Sequence, residues 1–205
     1  MKPNYANAHH WYSTLLAAEG RFDEALAEVK RAQGLDFLSP ATNTHIGNIL
    51  YRARRYNEAI ASLKETLDLE PNFIPARIYL GFCYRKLNRL DDALAEFRRG
   101  KQIAPKSPEL VGLIGTAYAI KGESDEARRH LAELQEISKH RYVSPASFMA
   151  FYAAMGDLDK AFEYLDKGFQ ENSPMIRGLK TDPMFDPLRQ DPRFAGYLRR
   201  AGLAQ

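Results

Sequence analysis

Apolar residues in this sequence recur with a period of 34 positions. We call the equivalent positions of successive periods a column. Alanine occupies one column in all five periods, and large apolar residues occupy the columns that lie thirteen positions before it, nine positions before it and four positions after it. Apolar positions fall in two blocks per period at intervals of three, four and seven, the spacing of a helix face. The pattern therefore predicts five helix pairs. The columns are Ala25, Ala59, Ala93, Ala127 and Ala161; Tyr12, Ile46, Leu80, Ile114 and Phe148; Leu16, Leu50, Tyr84, Tyr118 and Tyr152; and Val29, Leu63, Phe97, Leu131 and Leu165.

Turn residues separate the two helices of each period. In three periods a glycine stands between them, where a left-handed residue ends a helix at low cost. An arginine and an asparagine replace it in the other two, which weakens the stop signal without moving the frame. Pro71 and Pro105 end second helices, because proline cannot continue a helix. The column between the helices reads Gly20, Arg54, Asn88, Gly122 and Gly156.

Small residues recur where two helix backbones must approach closely. Besides the alanine column, glycine repeats at Gly47, Gly81 and Gly115. We expect a large side chain at Ala93 to overpack this contact at a cost of roughly 1–3 kcal/mol. Because one helix pair cannot bury its apolar face alone, neighbouring pairs must stack.

The repeated columns resemble the tetratricopeptide repeat, whose period is 34 residues. The resemblance implies an all-α fold, a right-handed α-solenoid of five helix-turn-helix repeats over residues 1–175. The outer repeats depart from the family pattern, with Ser13 and Met149 in the column where the family prefers glycine. The expected repeats are 6–39, 40–73, 74–107, 108–141 and 142–175.

A different pattern begins after the last repeat and predicts a helical C-terminal cap over 176–205. Asp-Pro pairs recur there, each suited to an N-cap followed by proline at the first helical position, so we expect short helices to begin near 183, 187 and 192. Phe185 with Leu188, and Phe194 with Tyr197 and Leu198, form apolar faces at helical spacing. The arginines at 189, 193, 199 and 200 are left for solvent.

The C-terminal stretch from 142 to 203 resembles the ends of repeat domains that follow winged-helix regulators, Ser/Thr kinases or nucleotide cyclases in bacterial signalling proteins. This resemblance implies a bacterial origin and a regulatory or scaffolding setting. It leaves the partner open.

Composition and charge exclude several classes of protein. The 205 residues are 45% hydrophobic and 27% charged, with a net charge of +3 and one cysteine. So many apolar residues argue against disorder, a single thiol cannot form an internal disulfide, and a small charge excess does not indicate nucleic-acid binding. No apolar run reaches the roughly 18 residues of a membrane helix. With no signal peptide in the N-terminal residues, we expect a cytoplasmic location, no membrane and no nucleic acid.

Catalytic chemistry is not indicated. No phosphate-binding loop motif occurs, and the adjacent His9 and His10 point about 100° apart on a helix, which is awkward for joint metal ligation. Cys83 adjoins the core column, where a buried thiol is expected. The acidic pairs Asp23-Glu24, Asp91-Asp92 and Asp125-Glu126 lie at helix starts, where they complement the macrodipole. We therefore predict no catalytic residue, no metal, no cofactor and no enzyme.

Two surface features have alternative interpretations. Arg21, Arg55 and Arg89 recur in the turn before each second helix and form either a docking edge for an acidic partner or a solvated turn paired with nearby acids. The helix containing His9-His10-Trp11-Tyr12 has no repeat before it, so its apolar edge indicates a truncated array, a tolerated exposure or a homodimer contact.

In the resembled family, the first helices line a concave groove and residues two, five, nine and twelve of each repeat face it. Here the first three repeats place polar and aromatic residues there, with Tyr51 and Phe82 as apolar anchors and Asn48 bonding a peptide backbone. The Lys and Asn clamp by which some members hold a terminal carboxylate is missing. Small residues fill the last two repeats and suit a helix, such as one from the chain's own C-terminal segment. The expected partner-binding residues are His10, Thr14, Thr44, Asn48, Tyr51, Ile78, Phe82 and Arg85.

The function that these features favour is a non-catalytic protein-interaction scaffold that binds a peptide or a helix. The alternative is a regulatory or ligand-sensing domain of a larger bacterial signalling protein. An upstream DNA-binding or kinase domain in the same reading frame would favour the alternative.

Overall fold

A computed structural model describes residues 5–36 and 38–203, and every regular element in those ranges is helical. The predicted all-α fold of consecutive helix pairs is confirmed. Within the described ranges no helix combines the length and the apolarity that crossing a bilayer requires. The helices are α1 Ala6–Glu19, α2 Phe22–Leu35, α3 Pro40–Arg52, α4 Tyr56–Leu69, α5 Ile74–Lys86, α6 Leu90–Ile103, α7 Pro108–Lys121, α8 Ser124–Ser138, α9 Pro145–Ala154, α10 Leu158–Gln170, α11 Asp186–Arg189 and α12 Arg193–Arg200, with short 3₁₀ helices at Pro174–Gly178 and Pro183–Phe185.

The chain divides into an N-terminal body, residues 1–103, and a C-terminal body, residues 104–205. In the N-terminal body α1 packs on α2, α3 on α4 and α5 on α6, and successive pairs meet through α2 with α3 and α4 with α5. The first helices also touch one another, α1 with α3 and α3 with α5. This arrangement brings the first helices of three repeats to one side of the body.

Small residues let the helices of a pair approach closely. A Cβ on Gly47 would lie 2.5 Å from Cγ of Leu63, which leaves no room for a methyl group. In the C-terminal body, a Cβ on Gly115 would lie 2.7 Å from Cβ of His130. The alanine column is closed to solvent throughout, with exposed fractions of 0–1% at all five positions. The expected close contact at these columns is confirmed.

Left-handed residues end the first helices, whether or not the residue is glycine. Gly20, Gly122 and Gly156 have φ of 88°, 83° and 80°. Arg54 and Asn88, which hold the same column in the second and third repeats, have φ of 62° and 58°. The backbone geometry is thus a property of the repeat, and two side chains tolerate a conformation that L-residues seldom adopt.

The C-terminal body contains the pairs α7 with α8 and α9 with α10, and α7 also packs on α9. Residues after α10 fold back on the last pair, and α11 contacts α9. Phe185 and Leu188 are fully buried in one cluster with Phe162 and Leu179. The expected apolar cap is confirmed.

The cap begins its helices close to the predicted positions, but its Asp-Pro pairs differ in role. Asp182 and Asp191 each accept a hydrogen bond from the backbone N–H two residues later, at 2.9 Å. Asp186 is the first residue of α11 rather than its N-cap, and its carboxylate binds the guanidinium of Arg189. The additional 3₁₀ helix Pro174–Gly178 was not predicted, because its only sequence signal is one proline.

Assigning the four arginines of the cap to solvent was wrong for Arg189 and right for the other three, which are exposed. Arg189 is half-buried and donates to the carbonyl oxygens of Leu179, Lys180 and Asp182 at 2.9–3.2 Å. Two of the exposed arginines also lie over rings: Arg193 is 4.2 Å from the ring centroid of Phe162, and Arg200 is 4.4 Å from that of Phe169. Arg199 is exposed. Guanidinium groups stack readily on aromatic faces, which the hydrophobic pattern does not reveal.

Candidate interaction surface

The side of the N-terminal body lined by α1, α3 and α5 carries the sequence-predicted site residues. A pocket of about 220 Å³ opens there. It brings together three of the predicted residues, one from α1 and two from α3, with residues of α5 and the turn before it. The lining residues are His10, Ala41, Thr44, His45, Asn48, Phe73, Pro75 and Tyr79.

One polar side chain of the pocket is buried without a hydrogen-bond partner among the described residues, and another lies one turn further along α3. The Thr44 side chain is 4% exposed, and its hydroxyl is shielded from water without a partner. Asn48 is half-buried on the next turn of α3. A buried hydroxyl without a partner is destabilising by about 1–3 kcal/mol, so this position favours a ligand that can satisfy it.

The histidines of the pocket, His10 and His45, form a tilted ring pair whose centroids lie 4.5 Å apart and whose planes differ by 35°. His45 Nε2 lies 3.1 Å from Ser13 Oγ and 3.2 Å from Thr14 Oγ1. Both hydroxyls donate to the carbonyl of His10, at 2.6 and 3.1 Å. Because the Ser13 and Thr14 hydroxyl protons already point to the His10 carbonyl, the two hydroxyl oxygens act as acceptors for His45. The Nε2–H of His45 therefore donates to them.

Burial keeps both imidazoles uncharged near neutral pH. It lowers the pKa of His45 to about 3, because an imidazolium would lose its hydration there, and repulsion from a protonated His10 and from Arg52 lowers this pKa further. Burial also lowers the pKa of His10. Neutral histidines make this end of the surface an apolar and aromatic site rather than a cationic one.

An aromatic cluster continues the surface along α3 and α5. The ring centroids of Tyr51 and Phe82 are 5.7 Å apart, and Tyr79 lies within 6.1 Å of both. The guanidinium carbon of Arg85 lies 5.1 Å from the centroid of Phe82. Phe82 and Arg85 are half-exposed and can meet a partner.

Two of the predicted site residues lie beneath the surface. Tyr51 is 1% exposed, so it supports Phe82 from behind and cannot be the exposed anchor that the sequence suggested. Ile78 is 7% exposed and belongs to the core. Thr14 is bound to His45 and shapes the wall of the pocket indirectly.

Sequence reasoning missed His45, Phe73 and Tyr79 as binding residues. A signal for two of them exists, because Trp11, His45 and Tyr79 form another column with the 34-residue period. Each residue of this column directly follows a residue predicted to face the groove, so its side chain leaves the helix about 100° further around the axis. His45 and Tyr79 line the pocket, whereas Trp11 is exposed and does not.

Other candidate chemistry is accounted for by local contacts. Arg21, Arg55 and Arg89 each bind the acid three residues later, at 2.5–2.7 Å, which favours the solvated-turn interpretation. The Cys83 thiol is fully buried, and desolvation raises its pKa to about 12. His9 binds Glu28 at 2.6 Å. In the described part of the chain, no group of three or more His, Cys, Asp or Glu is placed to hold a metal ion.

A second cavity of about 510 Å³ lies between α4, α5 and α6 and is rich in charged groups. Its floor holds Arg77 and Glu96, joined at 2.7 Å with side chains 14% and 8% exposed. Glu96 also binds Arg99. These charges neutralise one another, although Nε of Arg77 is buried without a hydrogen-bond partner among the described residues.

Two family models, both described as tetratricopeptide repeat, match the sequence over residues 50–116 and 6–31. Among curated proteins, none matches the sequence.

Several solved structures share the fold. A thermophilic tetratricopeptide repeat protein from Thermus thermophilus is similar at 22% identity over 95% of this chain and 100% of that one, with a TM-score of 0.66. MamA from Desulfovibrio magneticus RS-1 is similar at 19% identity over 82% and 96%, with a TM-score of 0.57. A tetratricopeptide repeat protein from Parabacteroides merdae is similar at 15% identity over 98% and 80%, with a TM-score of 0.57. At these identities the likeness establishes the fold alone.

Proposed function

Because this chain belongs to the tetratricopeptide repeat family, we propose that it is a non-catalytic scaffold whose N-terminal body binds a peptide on the surface lined by α1, α3 and α5. The observation that carries the proposal is the pocket at Thr44 and Asn48, where the Thr44 hydroxyl without a partner and the Asn48 amide lie among aromatic rings. Small apolar pockets with a few convergent polar groups are characteristic of binding sites.

The residues along this surface suit an extended peptide. Asn48 carries both an amide donor and a carbonyl acceptor and can pair with one peptide group of a backbone. Phe82 offers an apolar contact one repeat further, and Arg85 above it adds a positive charge that favours an acidic residue in the same ligand. Buried aromatic and arginine side chains contribute most to binding at such surfaces.

A random peptide library displayed on phage and selected on the full chain tests the proposal. Binding of the enriched peptides is then measured by fluorescence polarisation. We expect Asn48→Ala and Arg85→Ala to weaken binding roughly tenfold, which corresponds to about 1.4 kcal/mol. Glu65→Ala on the exposed side of α4 is the matched control and should bind like the wild type. Absence of enriched peptides, or equal binding by all variants, would refute the proposal.

We also propose that α1 mediates self-association. Leu15 is 64% exposed and Trp11 is 66% exposed, whereas Ile49 and Cys83, which hold the column of Leu15 in the next two repeats, are fully buried. A second copy that covered this face would bury Leu15, just as Ile49 and Cys83 are buried inside the body. Light scattering during gel filtration should show a dimer that Leu15→Glu dissociates. Leu38→Glu, at a leucine 62% exposed, is the control and should leave it intact.

The alternative, a regulatory or ligand-sensing domain of a bacterial signalling protein, rests on the resemblance of residues 142–203 to the repeat ends of such proteins. Its test is the full reading frame in the genome. A DNA-binding, kinase or cyclase domain in the same frame would support it, and a frame without one would exclude it. The expected cytoplasmic location stays a prediction.

A further inference from the structure

The pocket between α1, α3 and α5 has the size of one side chain. Its volume of about 220 Å³ is below the roughly 300–1,000 Å³ of sites that enclose a small-molecule ligand. Half of its lining consists of aromatic rings, those of His10, His45, Phe73 and Tyr79. Rings attract one another edge-to-face or in offset stacks. The shape and the walls therefore favour an aromatic group.

The charge of the pocket selects an uncharged occupant. No Asp, Glu, Lys or Arg belongs to the lining. Burial lowers the pKa of both histidines, so they contribute no charge near neutral pH. Arg52, two turns further along α3 from His45, does not line the pocket. A charged group entering it would lose its hydration without gaining an ion partner, which is strongly unfavourable.

The Thr44 hydroxyl adds a requirement for hydrogen bonding. Its oxygen is shielded and has no partner among the described residues. A threonine on a helix divides between two χ1 rotamers, so a rotation about one bond can turn the hydroxyl toward an occupant. A hydroxyl both donates and accepts, and another hydroxyl can satisfy it in either direction.

We infer that this pocket binds the side chain of a tyrosine in the partner peptide, with the ring among His10, Phe73 and Tyr79 and the phenol hydroxyl bonded to Thr44. The inference rests on the proposed peptide-binding function and gives that peptide one defining residue. Phenylalanine lacks the hydroxyl, and a carboxylate or an amine carries a charge that the lining does not balance.

The side-chain analogue p-cresol tests the pocket directly, since it needs no peptide. Titrated into the full ¹⁵N-labelled chain, it should shift the amide resonances of Thr44, Asn48 and Tyr79. Toluene, which lacks the hydroxyl, should bind roughly three- to tenfold more weakly, the range that one neutral hydrogen bond supplies. The charged analogue 4-methylbenzoate should shift none of them. Equal binding of p-cresol and toluene, or no shift with p-cresol, would overturn the inference.

Three variants localise the effect. Ala41→Leu places a larger side chain at an exposed position of the lining and should abolish p-cresol binding. Ala61→Leu makes the same change on the exposed face of α4 and should bind normally. Thr44→Val keeps the shape and removes the hydroxyl, so p-cresol should lose its advantage over toluene. Binding that persists in Ala41→Leu would place p-cresol elsewhere and contradict the assignment.

The two proposals can fail separately. If library peptides bind through Asn48 and Arg85 but contain no preferred tyrosine, the peptide-binding function stands and the tyrosine pocket falls. If p-cresol binds as expected and no peptide is enriched, the pocket stands and the peptide-binding function falls.

Discussion

Phe97 of α6 packs its ring directly on the backbone of Gly81 of α5. A Cβ on Gly81 would lie 2.7 Å from Cζ of Phe97, and the ring would have to move. We predict that Gly81→Ala lowers the free energy of unfolding by about 1–3 kcal/mol, because overpacking outweighs the higher helix propensity of alanine. Urea unfolding followed by far-UV circular dichroism measures it.

Gly34 is the matched control for this substitution. It lies near the end of α2, and a Cβ there would meet nothing within 4 Å. Gly34→Ala should therefore raise the free energy of unfolding, by up to about 1 kcal/mol. If Gly81→Ala stabilises the protein as Gly34→Ala does, the close helix contact is not as the structure has it.

His45 should make the protein less stable as the pH falls. Its pKa is about 3 in the folded chain against 6.5 for a free side chain, so below pH 6.5 the unfolded chain takes up a proton that the folded chain does not. The resulting loss of stability begins near pH 6.5 and continues down to about pH 3. Urea unfolding across this range should show a smaller loss in His45→Gln than in the wild type.

Identical pH slopes for the wild type and His45→Gln would mean that His45 is not buried as an uncharged imidazole.

Arg189 should hold the C-terminal cap on the last helix pair. Arg189→Met keeps the length of the side chain but leaves the carbonyls of Leu179, Lys180 and Asp182 without their donor. We predict a loss of about 1–3 kcal/mol in the free energy of unfolding. Hydrogen exchange should locate the loss in residues 179–194.

Arg199→Met makes the same chemical change at an exposed arginine. It should alter the free energy of unfolding by less than about 0.5 kcal/mol. Equal effects of the two substitutions would show that Arg189 acts only through its charge.

Cys83 should resist thiol reagents until the protein unfolds. With its pKa raised from 9.0 to about 12, the thiolate fraction is about 1,000-fold lower than in a free cysteine, and burial blocks access as well. Iodoacetamide at mildly alkaline pH should label the native chain very slowly and the guanidinium-unfolded chain rapidly. In a Cys83→Ala chain, Ser138→Cys at an exposed position should be labelled at once. Rapid labelling of native Cys83 would contradict its burial.

Much of the helical framework could be predicted from the sequence, because each repeat has to satisfy the same packing at the same columns. Ala93 and Gly81 have to be small because a neighbouring helix packs closely against each of them. The turn at Arg54 keeps the left-handed backbone conformation that glycine adopts in other repeats. Such packing constraints recur every 34 residues, so the repeated pattern can be recognised in a single sequence.

The site was less predictable, because it depends on how far each side chain extends past its neighbours. Tyr51 occupies a groove position by count, yet its ring turns inward against Tyr56 and Phe82. Arg189 looked like a surface charge, although three carbonyls converge on it. Neither outcome follows from helical spacing, since both depend on residues outside the helix that carries the side chain.

The positions of the helix pairs along the chain also bear on how fast the protein folds. Each pair joins helices separated by a turn of a few residues, as α1 and α2 are by Gly20 and Arg21. Closing such short loops costs little chain entropy, and proteins dominated by local contacts cross their folding barrier quickly. A nascent chain leaving the ribosome can thus pair its first helices before the later ones are synthesised, so exposed apolar faces are short-lived during synthesis.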